Sequence, residues 1–153
     1  MAYPYRSILV PIQVDDPSLA VLAMAKQIAA DKHATLHLFH VVQVLPAFGE
    51  PDVRPMVHTL EDEKALTMLK EIANQQLDGV KHEIHVGGAA PRSLAKAVVR
   101  LAAEVKADLI VLKTTARKGL SHLILGSVAE DVVRTALCPV LTLSPAVLEH
   151  IHS

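Results

Sequence analysis

The chain has 153 residues, 51% of them hydrophobic, which suits one domain with a full core and would crowd two. Its 15 basic and 16 acidic side chains leave a formal net charge of -1, so global charge gives no support for binding nucleic acid or an anionic membrane, and any basic patch must be local. Aromatic residues make up only 3% and Trp is absent, which points to a core of Ala, Val, Leu and Ile and away from stacking on bases.

Ser7 to Ile12 is a short run of β-branched residues and Leu that reads as a first strand, and Asp16-Pro17 reads as N-cap and first residue of a first helix. Val21, Met24, Ala25 and Ile28 then fall at i, i+3, i+4 and i+7, one buried stripe, with Lys26, Gln27 and Asp31 left for water and a stop near Lys32. Thr35 to Val42 is the second strand. Gln43 to Pro55 carries Pro46, Gly49, Pro51 and Pro55, a long loop with no room for a helix. Thr59 with Asp62 three residues on marks the start of a second helix, whose stripe is Ala65, Met68, Leu69 and Ile72 and whose end is Asp78-Gly79. Val80 to Val86 alternates Val80, His82, Ile84 and Val86 against Lys81, Glu83 and His85, the pattern of a strand exposed on one face near a sheet edge.

Gly87-Gly88 reads as a turn and Pro91 as a first helical residue, with Leu94, Val98, Leu101, Ala102 and Val105 lining one face of a third helix that ends before Asp108. Leu109 to Leu112 is an apolar strand buried on both faces, followed by a polar, basic loop. A fourth helix starts at Ser127 with Glu130 completing a capping box, its core face being Ala129, Val132, Val133 and Ala136. Pro139 to Leu143 is a last short strand. The regular alternation predicts an α/β domain over residues 1–145, a doubly wound five-stranded parallel sheet with helices on both faces, followed by a tail at 146–153.

The passage from the fourth strand to Gly126-Ser127 sets a helix N-terminus at the carboxyl end of the sheet, where backbone N–H groups and the helix dipole favour an anion such as phosphate. Leu109-Ile110-Val111, the basic loop, Gly126-Ser127-Val128-Ala129-Glu130 and Cys138-Pro139-Val140-Leu141 resemble the universal stress protein family, as do Ile8-Leu9-Val10-Pro11-Ile12 and Phe39-His40-Val41. The resemblance covers nearly the whole chain. It implies strand order 3-2-1-4-5, an adenine-nucleotide alpha hydrolase-like fold, and an ATP crevice, with Mg only alongside ATP. By the same resemblance the nucleotide contacts are Pro11, Ile12, Gln13, Val41, Lys113, Thr114, Ala116, Gly126, Ser127 and Val128, with the Val41 backbone meeting the adenine.

The family signature is Gly, two residues, Gly, nine residues, then Gly-Ser or Gly-Thr, and this chain keeps the spacing but reads Lys113, Ala116 and Gly126-Ser127. A lysine stem at the first position either fills the ribose space or turns outward and brings its ammonium to the phosphates. Ala116 at a position with positive φ would cost about 1–2 kcal/mol, which favours a different path for the loop. Gln13 replaces an Asp and keeps an acceptor oxygen without the charge, while Arg117 and Lys118 add positive charge that a solvated turn also explains.

Other chemistry finds less support. His37 and His40 lie three apart on a strand and so face opposite ways, and His150 and His152 lack a Cys partner, so no metal site is expected. Cys138 reads as a packed thiol, and no nucleophile elbow, Walker loop or HExxH pattern is present, so no enzyme is expected. One cysteine, no signal-like N-terminus and no apolar run near about 18 residues lead to the expectation of a reduced, cytoplasmic protein. Two functional readings follow: a stress-response regulatory module with an adenine-nucleotide crevice whose binding these substitutions weaken, or a dimeric interaction protein of the same family that holds no ATP. Val140-Leu141-Thr142-Leu143 is a short apolar edge strand, and relatives join two copies along it, so a homodimer and an unidentified protein partner are expected.

Overall fold

The structure, a computed structural model, describes residues 5–13, 19–54, 59–114 and 126–151. Its elements in chain order are β1 (Ser7–Pro11), α1 (Ala20–Lys32), β2 (Thr35–Gln43), β3 (Val53–Arg54), α2 (Leu60–Gln76) and β4 (His82–Ala89). A short 3-10 turn (Pro91–Ser93) then leads into α3 (Leu94–Glu104), β5 (Leu109–Lys113), α4 (Ser127–Thr135), β6 (Val140–Leu143) and α5 (Pro145–Ile151). The sheet has six strands in the order β3-β4-β2-β1-β5-β6. Every pairing is parallel except that of β3 with β4. Without β3 the order is the expected 3-2-1-4-5; the sixth strand is the correction.

Alternating side chains of the central strands divide the core in two, as a sheet covered on both faces requires. Ile8, Val10, Leu36, Leu38 and Val111 pack with α1, α2 and α5, while Leu9, Phe39, Ile110 and Leu112 pack with α3 and α4. Ile8, Leu9, Leu36, Leu38 and Ile110 are fully buried. At the amino ends of the strands Asp108 ties β1 to β5, accepting from the backbone N–H groups of Arg6 at 2.8 Å and Ser7 at 3.2 Å.

Several local expectations change in this context. The extra strand lies inside the long loop, which crosses the end of β4: Val53 and Arg54 pair with Ala89 and Gly88. The loop is anchored by Asp52, which accepts from Arg92 Nε at 2.9 Å and Ser93 Oγ at 3.2 Å while its carbonyl accepts from Ala90 N–H at 2.8 Å. Gly87-Gly88 is therefore strand and not turn, paired with Val41 and Val42. Glycine at 87 has a packing reason, since a Cβ there would meet Phe39 Cε1 at 3.2 Å. Met68 and Val133, expected in the core, are 41% and 47% exposed.

Helix ends follow the chemistry at two sites and depart from it at a third. Thr59 and Asp62 form the expected capping box on α2. The tail expected after residue 145 contains α5, which begins with Pro145 as its first residue; Ser144 Oγ accepts from Val147 N–H at 3.3 Å, and Leu148 is buried in the core. On α4 the expected capping box is absent: Gly126, which has no side chain to cap with, is the N-cap, and Ser127 is already inside the helix. Asp16 and Pro17 lie outside the described residues.

Candidate functional site

Strand β1 is flanked by β2 on one side and β5 on the other, and the helices that follow these strands pack on opposite faces. A crevice at the carboxyl ends of such strands is the expected consequence. The structure has a cavity of about 250 Å³ there. Its floor is the strand ends: Pro11, Ile12 and Gln13 after β1, Phe39 to Val41 in β2, and Leu112 and Lys113 in β5. One wall is Leu94 and Val98 of α3, and another is Ser127, Val128, Ala129 and Val132 of α4.

Most of this lining is aliphatic, which suits a flat heteroaromatic group held by its faces. Polar groups converge at the rim. Gln13 is exposed, Lys113 is half-buried, and Ser127 is exposed at the start of α4. Among the described residues no carboxylate lines the cavity. Among the described residues Lys113 is the Lys or Arg that lines it, and none of them offers Mg a direct carboxylate ligand.

The start of α4 adds donors. Gly126 has φ 88 and ψ 149, a conformation open essentially to glycine alone, and it turns the chain sharply into the helix. The first backbone bond of α4 runs from Glu130 N–H to Gly126 O at 3.0 Å, so the N–H groups of Ser127, Val128 and Ala129 precede the helical ladder. They lie at the positive end of the helix dipole beside the cavity.

The floor is held by side-chain and backbone bonds. Ile12 N–H donates to Phe39 O at 2.8 Å, and His40 Nδ1 lies 3.0 Å from Ile12 O, which locks the turn after β1 onto β2. His40 also lines the cavity, as do Leu19, Val21 and Gln43, none of which sequence reasoning named as a nucleotide contact. Of the ten residues it did single out, Pro11, Ile12, Gln13, Val41, Lys113, Ser127 and Val128 line the cavity. Gly126 adjoins it as the N-cap of α4. Thr114 is instead buried, its N–H donating to Leu143 O at 2.9 Å and so continuing the β5 to β6 ladder. Ala116 lies outside the described residues, as do Arg117, Lys118 and His152.

Over residues 4–144 the sequence matches the model of the universal stress protein family. The chain belongs to that family. A universal stress protein of Methanocaldococcus jannaschii is 36% identical over 142 residues, spanning 90% of this chain and 81% of the relative. Among solved structures, a universal stress protein in complex with cAMP is 26% identical, covers 93% of this chain and 98% of its own, and superposes with a TM-score of 0.66. A universal stress protein of Archaeoglobus fulgidus in complex with dAMP, 23% identical over 92% of this chain and 98% of its own, has the same fold with a TM-score of 0.61.

A second group of polar side chains lies on the α3 side of the sheet, toward the amino ends of the strands. Sequence reasoning weighed His37 only against His40, which faces the other way, but strand register brings β4 beside it: His37 is opposite Glu83, and His85 follows two residues later on the same face. Parallel pairing of the second and third predicted strands was the available signal. Burial pushes both imidazoles below the ordinary histidine range; His85 adds to that effect at His37 while Glu83 opposes it, and at His85 the opposing charges are Glu83 and Glu104. Both rings therefore favour the neutral form more than a free imidazole does.

Proposed function

We propose that this universal stress protein is a regulatory binding module whose crevice receives an adenine nucleotide, ATP being the full ligand and Mg accompanying it on the phosphates alone. What carries the reading is the rim: Lys113 and the amino end of α4 line one cavity, where Gly126 is the N-cap and Ser127 is left exposed on the first turn. In this reading the Val41 backbone meets the adenine, Ile12 and Pro11 support it, and Gln13 takes a ribose hydroxyl in place of the family Asp. The Ser127 hydroxyl and the N–H groups of Ser127 and Val128 hold phosphate oxygens, with the Lys113 ammonium neutralising them. The cAMP and dAMP complexes of relatives support an adenine nucleotide as the ligand class.

Binding without turnover fits the lining, which supplies no carboxylate among the described residues to activate water or hold Mg directly. The nucleotide would act by changing the surface offered to a protein partner. Titration calorimetry with ATP and magnesium tests this. Micromolar affinity, with weaker binding of adenosine, is the expected result; no heat at millimolar ATP removes the reading.

The proposal includes a homodimer through β6. That strand ends the sheet, and Val133 and Leu137 beside it are 47% and 93% exposed. A second copy pairing along β6 would cover both and complete the strand edge, which accounts for apolar residues left in water by the single chain.

A further inference from the structure

His37 Nδ1 lies 3.0 Å from His85 Nε2 and 3.1 Å from Glu83 Oε2, and the last two atoms are 4.0 Å apart. An ion bonded to all three at about 2.1 Å would sit about 0.6 Å out of their plane, leaving one side open. The 4.0 Å separation exceeds the edge of about 3.4 Å of a regular zinc tetrahedron, and the exposed Glu83 carboxylate is the group free to close it. We propose that His37, Glu83 and His85 form a binding site for a divalent transition-metal ion of the zinc type, separate from the nucleotide crevice.

The arrangement is difficult to explain with protons alone. His37 Nδ1 carries at most one hydrogen, which two acceptors would have to share; without it, the nitrogen lone pair faces the Glu83 carboxylate at 3.1 Å. A cation satisfies all three lone pairs at once. The donor set fits in other respects. Two imidazoles and one carboxylate are borderline ligands that suit zinc. The His37 side chain is 7% exposed, which fixes one ligand, whereas His85 at 25% and Glu83 at 60% open the group to solvent. Three protein ligands with a fourth position reached by water is a familiar coordination for zinc.

The position within the fold separates the site from the crevice. Register on β2 and β4 sets the ligands: His37 opposite Glu83, and Phe39 opposite His85. Phe39, on the same face and two residues further along β2, lines the crevice and lies between the two sites along the strand. A bound ion would clamp β2 to β4 near their amino ends, with Glu104 of α3 adding negative charge toward His85.

Equilibrium dialysis of the full chain against zinc, followed by metal analysis, is expected to show one retained equivalent. His85→Ala and Glu83→Gln should each weaken that site by at least about tenfold. His82→Ala, on the opposite face of β4 with its Nδ1 already 2.8 Å from Val80 O, should leave it unchanged. Cobalt in place of zinc should give the intense visible absorption of a four-coordinate ion, reduced to a weak band in His85→Ala. Glu83 is exposed, so Glu83→Gln decides the question if His85→Ala fails to fold. No retained zinc at micromolar concentration, or the same affinity and cobalt spectrum in Glu83→Gln as in the parent, overturns the proposal.

Discussion

Replacing Gly126 with alanine tests how the start of α4 is built and what it serves. At φ 88 and ψ 149 a Cβ is strained whatever space surrounds it, and holding a non-glycine residue there costs about 1–3 kcal/mol. For a domain of this length each kcal/mol shifts Tm by about 2–4 °C, so Gly126→Ala should melt about 2–12 °C below the parent. If the same turn also aims the N–H groups of Ser127 and Val128 at phosphate, the variant should lose most of the rise in Tm that saturating ATP produces in the parent. Gly79→Ala is the control. Gly79 has φ 78 with nothing within 4 Å of an added Cβ, and it precedes β4 at the opposite end of the sheet from the crevice. It should cost about 1–2 kcal/mol while keeping the full ATP shift. Thermal melts of the three proteins with and without ATP are sufficient. A Gly126→Ala protein that melts with the parent refutes the strain argument, and equal loss of the ATP shift in both variants refutes the phosphate role.

Lys113→Met keeps the stem and removes the charge. Loss of a charge-assisted contact worth about 1.5 kcal/mol should lower ATP affinity about tenfold and leave adenosine unaffected in calorimetry; a rise for both ligands would show that the stem crowds the ribose. At the β6 edge, Ile110 N–H donates to Pro139 O at 3.0 Å and Thr114 N–H to Leu143 O at 2.9 Å, so by alternation Leu141 also faces β5 while Val140 and Thr142 turn their amides outward. Thr142→Pro should therefore weaken self-association with little loss of fold, and an unchanged sedimentation profile would count against pairing through β6. Cys138 has its thiol pushed up by burial and by the charge of Asp108, so the folded chain favours the neutral form. Alkylation by iodoacetamide at pH 8.5 should be slower than in the urea-unfolded chain, and the stability this group contributes should fall as pH rises past the ordinary thiol range. Equal alkylation rates would contradict the burial.

What the sequence made legible was whatever local periodicity and capping decide. The stripe of Ala65 and Leu69, the Thr59 to Asp62 box and the apolar run of β5 all depend on neighbours within a few residues. Features that depend on distant strands were not legible. Gly87-Gly88 carries a turn composition, yet Phe39 from β2 and the short β3 determine that it stays extended. Val133 fits a helical stripe, but no described element covers it, which the period of a helix does not encode. The pairing of His37 with His85 likewise needs the register of β2 against β4. Thr114 shows the same limit: the resemblance implied a place beside the ligand, while its amide belongs to the sheet.

The departures from the family pattern fall unevenly across the site. The floor is made by strand order and backbone: β1 between β2 and β5, Ile12 bonded to Phe39 O, and His40 closing on Ile12 O. None of these bonds involves Lys113 or Gly126, so the floor stands on strand order and backbone alone. The polar side chains at the mouth include Lys113 and Gln13, positions where the family resemblance implies a glycine and an acid. Under the proposed binding mode, phosphates would arrive beside a base, with no carboxylate lining the cavity among the described residues. The expected mark of this bias is ionic: ATP affinity should fall with added salt more steeply than adenosine affinity, and parallel dependence for the two would mean that the lysine and the α4 dipole play no part in binding.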